Sequence, residues 1–205
     1  MSTGPRIPLA RAQKAAAYLI DLWKLDGAHV VGSVRRGRSE VGDLEIIAPA
    51  ADAKDDPAHA RIAATMHRDI SSAGLFEPPP AENTIGHAIR GLNPGFLAAS
   101  LEVRMRDGTQ LPVQVYRYTE QNFGWTMLMR TGPADFGRWF LSQWKERHHI
   151  PHELPASVSG NLVDIEGRVI PTTTEAEAFE KCGLRAVAPE HRDEFIGRIR
   201  AGAAR

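Results

Sequence analysis

Two acidic side chains and a glycine bend are the residues of this sequence whose types and spacing could do chemistry. Asp43 and Glu45 lie two residues apart in an apolar run, and Gly32-Ser33 precedes them. Side chains at i and i+2 of a strand share a face, which places the two carboxylates about 7 Å apart. Carboxylates this close repel each other unless a cation lies between them. Mg²⁺ (or Mn²⁺) suits such an all-oxygen site, so we predict a metal-binding, catalytic pair at Asp43 and Glu45.

The bend ahead of this pair is predicted to bind phosphate. Gly32 and Ser33 form it, and the basic pair Arg35-Arg36 follows. Backbone N–H groups at a tight bend and guanidinium groups both donate hydrogen bonds to phosphate oxygens. The alternative is an edge strand with two solvated acids after a basic turn. The co-occurrence of bend, basic pair and acid pair favours a nucleotide site.

Composition narrows the class of protein. The chain has 205 residues, of which 42% are hydrophobic and 24% charged, as in an ordinary soluble protein of one large or two small domains. A net charge of zero disfavours a strong non-specific grip on DNA, but one nucleotide needs only a few local cations. The single cysteine, Cys182, excludes an intrachain disulfide. With no apolar run of membrane-spanning length and no signal peptide, we expect a cytoplasmic protein without a membrane partner.

Hydrophobic periodicity predicts the elements that must position these residues. It indicates a helix over 9–25, a short strand over 29–31 and a strand over 41–48. Further predicted elements are a helix over 57–73, a loop over 76–83, a hairpin of strands 97–105 and 109–118, helices over 121–129 and 135–148, short strands within 154–170, and helices over 175–182 and 189–199. The order predicts an α+β fold. A mixed sheet with flanking helices (residues 1–120) would precede a smaller α-rich lobe with short strands (residues 121–205).

Three segments in the same order resemble the family X DNA polymerases, a branch of the nucleotidyltransferase superfamily. The first is Gly-Ser, nine residues, Asp-x-Glu over 32–45. The second is Leu-Met-Arg-Thr-Gly-Pro-Ala-Asp-Phe over 128–136, and the third runs from 174 to 193. Together they cover that family's palm and thumb, which implies a nucleotidyltransferase-type palm followed by a thumb-like lobe.

The resemblance implies specific roles. It assigns nucleotide binding to Gly32, Ser33, Arg36, Thr131 and Gly132. Asp43 and Glu45 would hold two Mg²⁺ ions about 3.5–4 Å apart. The implied enzyme is a nucleotidyltransferase that moves a nucleoside monophosphate from a nucleoside triphosphate to a hydroxyl, above all a nucleic acid 3′ end.

One catalytic position departs from the family pattern. Gln114 stands where the resemblance implies a third catalytic carboxylate. A neutral amide cannot act as a base, and a lost charge pair at 4 Å costs about 4 kcal/mol at an effective dielectric of 20. Glu102 is the candidate compensating carboxylate. A two-residue turn at Asp107-Gly108 would pair Leu101 with Gln114 and point Glu102 away, whereas a three-residue loop is expected to pair Glu102 with Gln114.

Other departures leave the acceptor open. Met129-Arg130 replaces the family's aromatic pair, and nucleic acid contacts are expected from Arg138, Lys145 and Arg147 of the thumb helix. One alternative is a catalytically degenerate relative that binds nucleotide or DNA ends without turnover. Another is a small nucleotidyltransferase that modifies a hydroxyl of a protein or a drug.

Overall fold

A computed structural model describes residues 6–50, 97–105 and 107–202, with side chains for 6–50, 103, 105 and 107–202. The helix predicted over 57–73 and the loop predicted over 76–83 lie outside the described residues. The described strands are β1 (Ile7–Pro8), β2 (His29–Val30), β3 (Glu40–Val41), β4 (Leu44–Pro49), β5 (Leu97–Arg104), β6 (Gln110–Tyr118), β7 (Ser157–Val158) and β8 (Asn161–Leu162). The described α-helices are α1 (Leu9–Trp23), α2 (Gly32–Arg35), α3 (Phe123–Thr131), α4 (Ala134–Arg147), α5 (Glu175–Lys181) and α6 (Arg192–Arg200).

The central sheet has the strand order β2-β4-β6-β5. Strand β4 runs parallel to β6, while β2 and β5 are antiparallel to their neighbours. Alternation along β4 sends Leu44 and Ile46 into the same core as the apolar face of α1, which includes Leu19 and Trp23. A mixed sheet with helices confirms the α+β prediction.

A second core forms in the C-terminal part of the chain. Its aromatic side chains come from α3, α4 and α5: Trp125, Phe136, Phe140, Trp144 and Phe179. Helix α5 begins at an N-cap, where the Thr174 hydroxyl accepts a hydrogen bond from the Glu177 N–H at 3.0 Å. The division into 1–120 and 121–205 stays a prediction, although these two cores lie on either side of residue 120.

A small apolar cluster packs α3 against the sheet face opposite α1. It contains Val31, Ile47, Tyr116 and Met127. The C-terminal end of α3 is thereby held over the face on which Asp43 and Glu45 were predicted.

The strand predicted over 41–48 is wrong in one respect. It is interrupted at Gly42-Asp43, and the two halves join different sheets. Strand β3 pairs with β1, while β4 enters the central sheet. Glycine favours such an interruption because it weakens a strand and admits a bend. Asp43 therefore sits at the entrance to β4, where its side chain is half-buried.

Candidate active site

Glu45 and Asp43 are both half-buried at the start of β4. Leu44 and Ile46 are fully buried on the α1 side, so alternation along β4 turns Glu45 to the opposite face, while Asp43 lies just before the strand. Burial, and after it the negative charge of Asp43, raises the pKa of Glu45. That the two carboxylates share one face and bind a metal ion stays a prediction.

The glycine bend lies directly against the second acid. Gly32 begins α2 with a φ of +64°, and a Cβ built there would overlap Glu45 Oε2. The Val31 N–H donates a hydrogen bond to the Glu45 carbonyl at 2.9 Å, which fixes the bend to β4. The left-handed backbone favours glycine at position 32, and any Cβ there would displace the Glu45 carboxylate from its present position.

The Ser33 hydroxyl follows the Gly32 bend. Its Oγ is buried and, within the described ranges, makes no hydrogen bond. Buried hydroxyls are normally paired, so an unpaired one beside the bend indicates a place for a further polar group. A phosphate oxygen matches that need.

Burial shapes the protonation of both acids. Burial, and then the charge of Asp43, raises the pKa of Glu45 to about 7, while the charges of Arg130 and Arg36 oppose the rise. Burial also raises the pKa of Asp43, against the charges of Arg36 and Arg6. Burial makes the ionised form of both acids less stable, and a cation bound between them would stabilise that form.

Gln114 lies opposite Glu45, and its role as the third catalytic position stays a prediction. The parallel register of β4 and β6 sets Gln114 opposite Glu45. The Tyr116 hydroxyl donates a hydrogen bond to Gln114 Oε1 at 2.8 Å. The amide oxygen is thus oriented by a neighbouring phenol, and its position beside Glu45 lets it serve as a neutral oxygen ligand.

The hairpin register differs from both pairings considered for Glu102. The Met105 N–H donates to the Thr109 carbonyl, which leaves a three-residue loop over 106–108. This loop pairs Glu102 with Pro112 and Ser100 with Gln114. The expectation that a three-residue loop pairs Glu102 with Gln114 is wrong, because the longer loop shifts the register the other way. Glu102 occupies a position diagonal to Gln114, and its side chain lies outside the described part.

The two basic residues after the bend have protein partners. Arg36 donates from Nη1 to the Thr131 carbonyl and from Nε to Asp193 Oδ2, the latter at 3.0 Å. Arg35 donates from Nη1 to the Thr131 hydroxyl at 2.6 Å and binds Glu175 through two hydrogen bonds. These contacts bring the predicted nucleotide-binding residue Thr131 next to α2.

Gly132 is part of the same junction. It has a φ of +63°, and a Cβ built there would lie 3.2 Å from Arg36 Nη1. The structure therefore gathers the five predicted nucleotide-binding residues around α2 and the end of α3. Nucleotide binding by Arg36 stays a prediction, and it would require that residue to contact a phosphate in addition to, or instead of, its present partners.

Arg130 and Tyr116 are site residues that the sequence reasoning missed. The Arg130 guanidinium carbon lies 3.7 Å from the centre of the Tyr116 ring, a cation–π contact. The signal available in the sequence was the arginine at the position where the resemblance expects an aromatic residue. The electrostatic effect of Arg130 on Glu45 depends on a contact between α3 and β6 that the sequence does not show.

The predicted nucleic acid contacts lie on α4. Arg138 is 72% exposed and forms an ion pair with Asp135. Lys145 donates to the His152 carbonyl at 2.7 Å, and Arg147 lies beside Gly183. Their role in binding DNA stays a prediction.

The donor set at the sheet face fits a divalent ion with oxygen preference. Two carboxylates and one amide oxygen are hard ligands, of the kind that Mg²⁺ and Mn²⁺ bind. Over residues 6–50, 97–105 and 107–202, no group of three or more His, Cys, Asp or Glu side chains is arranged to bind a metal ion. This part of the sheet thus offers two carboxylates where a three-carboxylate cluster would offer three.

No model of a known protein family matches the chain, and no curated protein matches it. Among the described helices, none has the length and apolar character that a membrane crossing requires.

Proposed function

We propose that this chain is a divalent-metal-dependent nucleotidyltransferase of the family X polymerase type, in which residues 1–120 act as the palm and residues 121–205 as the thumb. The observation that carries the proposal is the close approach of the Glu45 carboxylate to the Gly32 bend, with Asp43 two residues before Glu45. A metal–triphosphate complex needs acidic oxygen ligands on one side and phosphate donors on the other. Here the Gly32–Glu45 contact brings the two halves together.

The residues divide the work of positioning. Asp43 and Glu45 would hold a divalent ion, with the Gln114 amide oxygen as a neutral neighbour. The α2 backbone, the unpaired Ser33 hydroxyl and Arg36 would bind the phosphates. The ion would supply charge neutralisation for the triphosphate and the attacking oxygen. Most of the rate enhancement comes from this fixed placement of charges, as in other phosphoryl-transfer sites.

The transfer step balances without a further reactant. The acceptor hydroxyl oxygen forms a bond to the α-phosphorus, and the bond from that phosphorus to the bridging oxygen breaks. Pyrophosphate leaves with the electron pair. The hydroxyl proton passes to water, because Gln114 offers no base at this position. The proposed acceptor is the 3′ hydroxyl of DNA or another nucleic acid, held in part by Arg138, Lys145 and Arg147.

A labelled-nucleotide assay tests the proposal. The protein is incubated with α-labelled nucleoside triphosphates, Mg²⁺ or Mn²⁺, and single-stranded, nicked or gapped DNA. We expect label in the nucleic acid, and loss of that label in Asp43→Asn, which removes one ligand charge at nearly constant volume. Absence of label with every acceptor, nucleic acid or small hydroxyl compound, would contradict transfer.

A second candidate is binding of nucleotide or DNA ends without turnover. It is favoured by Gln114, whose amide stands opposite Glu45 and is fixed by Tyr116. In this case nucleoside triphosphate binds but is not consumed. The variant Gln114→Asp separates the two candidates, since a gain of transfer there would show a complete scaffold that lacks one carboxylate.

A further inference from the structure

Arg130 places a positive charge on the face of the sheet that carries Glu45 and Gln114. It lies in the last turn of α3, with its guanidinium carbon 3.7 Å from the centre of the Tyr116 ring. The Tyr116 hydroxyl reaches the Gln114 amide at 2.8 Å, and Gln114 is the cross-strand partner of Glu45. The guanidinium therefore lies on the site face, over the ring whose hydroxyl contacts the residue opposite Glu45.

The end of α3 is held firmly enough to keep Arg130 there. The next residue, Thr131, accepts hydrogen bonds at its hydroxyl from Arg35 and at its carbonyl from Arg36. Met127, one turn earlier, packs with Ile47 and Tyr116. The hydrogen bonds to Thr131 and the packing of Met127 hold this turn at both ends, so they restrict movement of the Arg130 backbone away from the sheet.

The ligands that the protein supplies limit how many ions it can hold in addition to the charge that the triphosphate brings. Asp43 and Glu45 are the two carboxylates proposed for the first ion. A second ion on this face would find only the neutral Gln114 as an additional protein ligand, with the Arg130 guanidinium over the neighbouring Tyr116 ring. Like charges within a few ångströms disfavour each other's binding, most of all in a half-buried site.

We infer that Arg130 takes the place of a second divalent cation, so that the site binds a nucleoside triphosphate with one divalent ion and one guanidinium. This inference rests on the proposed function, since it assumes that the face binds a triphosphate. A guanidinium is suited to this substitution because it is always charged and donates several hydrogen bonds to phosphate oxygens. The opposing effect of Arg130 on the raised pKa of Glu45 agrees with its closeness to the acids.

Counting bound Mn²⁺ by electron paramagnetic resonance tests the inference. The chain is titrated with Mn²⁺ in the presence of the non-hydrolysable analogue α,β-methylene-ATP. We expect one ion per chain for the wild type. We expect one ion for Gln114→Asp as well, because the new carboxylate pairs with Arg130, and two ions for Arg130→Met/Gln114→Asp. The single variant Arg130→Met should bind the analogue about tenfold more weakly, the loss of one charge-assisted contact.

The control removes an arginine far from the acids. Arg198 lies on α6 in an exposed pair with Glu194, so Arg198→Met should leave both the ion count and the analogue affinity unchanged. Circular dichroism checks that each variant folds. The wild-type count alone shows whether the site binds one divalent ion or two, even where a variant fails to fold.

The outcomes separate this inference from the proposed function. Two ions in the wild type, a second ion in Gln114→Asp alone, or unchanged analogue affinity in Arg130→Met would overturn the role of Arg130. One ion with the expected variant effects but no labelled product would leave the inference standing and reject transfer. Absence of both Mn²⁺ and analogue binding in the wild type would overturn both.

Discussion

At the scale of single residues, the site depends on a contact that only glycine permits. Gly32 combines a φ of +64° with a Cα placed against the Glu45 carboxylate. A side chain there would strain the backbone and push Glu45 away from Asp43. Gly37, five residues later, has a similar φ of +68° but open space around it. The two glycines thus separate backbone strain from steric displacement.

We predict that Gly32→Ala abolishes nucleotide-dependent Mn²⁺ binding and destabilises the fold by about 1–3 kcal/mol, the cost of a strained backbone conformation. The matched variant Gly37→Ala should lose a similar amount of stability and still bind Mn²⁺. Urea unfolding and Mn²⁺ titration measure the two effects. Normal Mn²⁺ affinity in Gly32→Ala would mean that the Glu45 position does not matter for the ion.

The sequence predicted the local features of this site and missed the distant ones. The side of the sheet that Glu45 faces follows from strand alternation, and the bend at Gly32 follows from its residue types. The contact of Arg130 with Tyr116 joins a helix to a strand of the sheet. No spacing rule covers such a pair, because periodicity describes neighbours along one element and not the choice of packing partner.

At the scale of elements, an ionic cluster joins α2 to the C-terminal helices. Glu175 on α5 accepts two hydrogen bonds from Arg35 and one, at 2.6 Å, from Arg192 on α6. The Arg192 side chain is fully buried and stacks 4.7 Å from the centre of the Phe136 ring. Glu175 therefore balances the charge of the buried Arg192 side chain and also links α2 to α5. The sequence reasoning assigned Arg35 to phosphate and did not foresee this ion pair, whose members lie 140 residues apart.

We predict that Glu175→Gln destabilises the protein by about 3–5 kcal/mol at pH 7, because it leaves the buried Arg192 charge without its partner. Glu180→Gln, an exposed site on the same helix, is the control and should change stability by less than about 0.5 kcal/mol. Urea unfolding of the two variants and the wild type gives the comparison. Equal losses in both variants would contradict the role of Glu175.

The same cluster predicts a pH dependence. Burial alone would raise the pKa of Glu175, but the hydrogen bond from Arg35 and the charge of Arg192 outweigh it and leave that pKa below its usual value. A lowered pKa in the folded state contributes stability that is present above the unfolded pKa and is lost as the pH falls through the folded one. The stability gap between the wild type and Glu175→Gln should therefore narrow on acidification. Unfolding curves at pH 7, 5 and 3 measure this gap. A gap that widens on acidification would contradict a lowered pKa of Glu175 in the folded state.

Two element boundaries show why the fold was only partly predictable. The hairpin at Asp107-Gly108 followed from its turn residues, but the three-residue loop set a register that turn residues alone did not specify. The break at Gly42 sent β3 to a separate sheet with β1. A local pattern shows that a strand exists, while its partner is decided by which surfaces the rest of the chain leaves available.

At the scale of the whole molecule, zero net charge limits how the chain can bind nucleic acid. Affinity for DNA comes mainly from lysine and arginine contacts to phosphates, and each contact adds to the salt dependence. The exposed face of α4 offers Arg138 and Lys145. Binding through so few cations should be weak and directed to one place.

We predict that replacing both Arg138 and Lys145 by Gln lowers the slope of log affinity against log salt by about 2, as expected for the loss of two phosphate contacts. Arg198→Gln on α6 is the control and should leave the slope unchanged. Fluorescence anisotropy with a labelled gapped oligonucleotide at several salt concentrations gives both slopes. An unchanged slope in the α4 variant would place the nucleic acid elsewhere.

The most direct measurement is anomalous diffraction from a crystal grown with Mn²⁺ and α,β-methylene-ATP. We expect a manganese peak between the Asp43 and Glu45 carboxylates, with the triphosphate against the first turn of α2. A peak bound elsewhere, or a triphosphate distant from Gly32, would contradict the proposed site and the transfer reaction built on it.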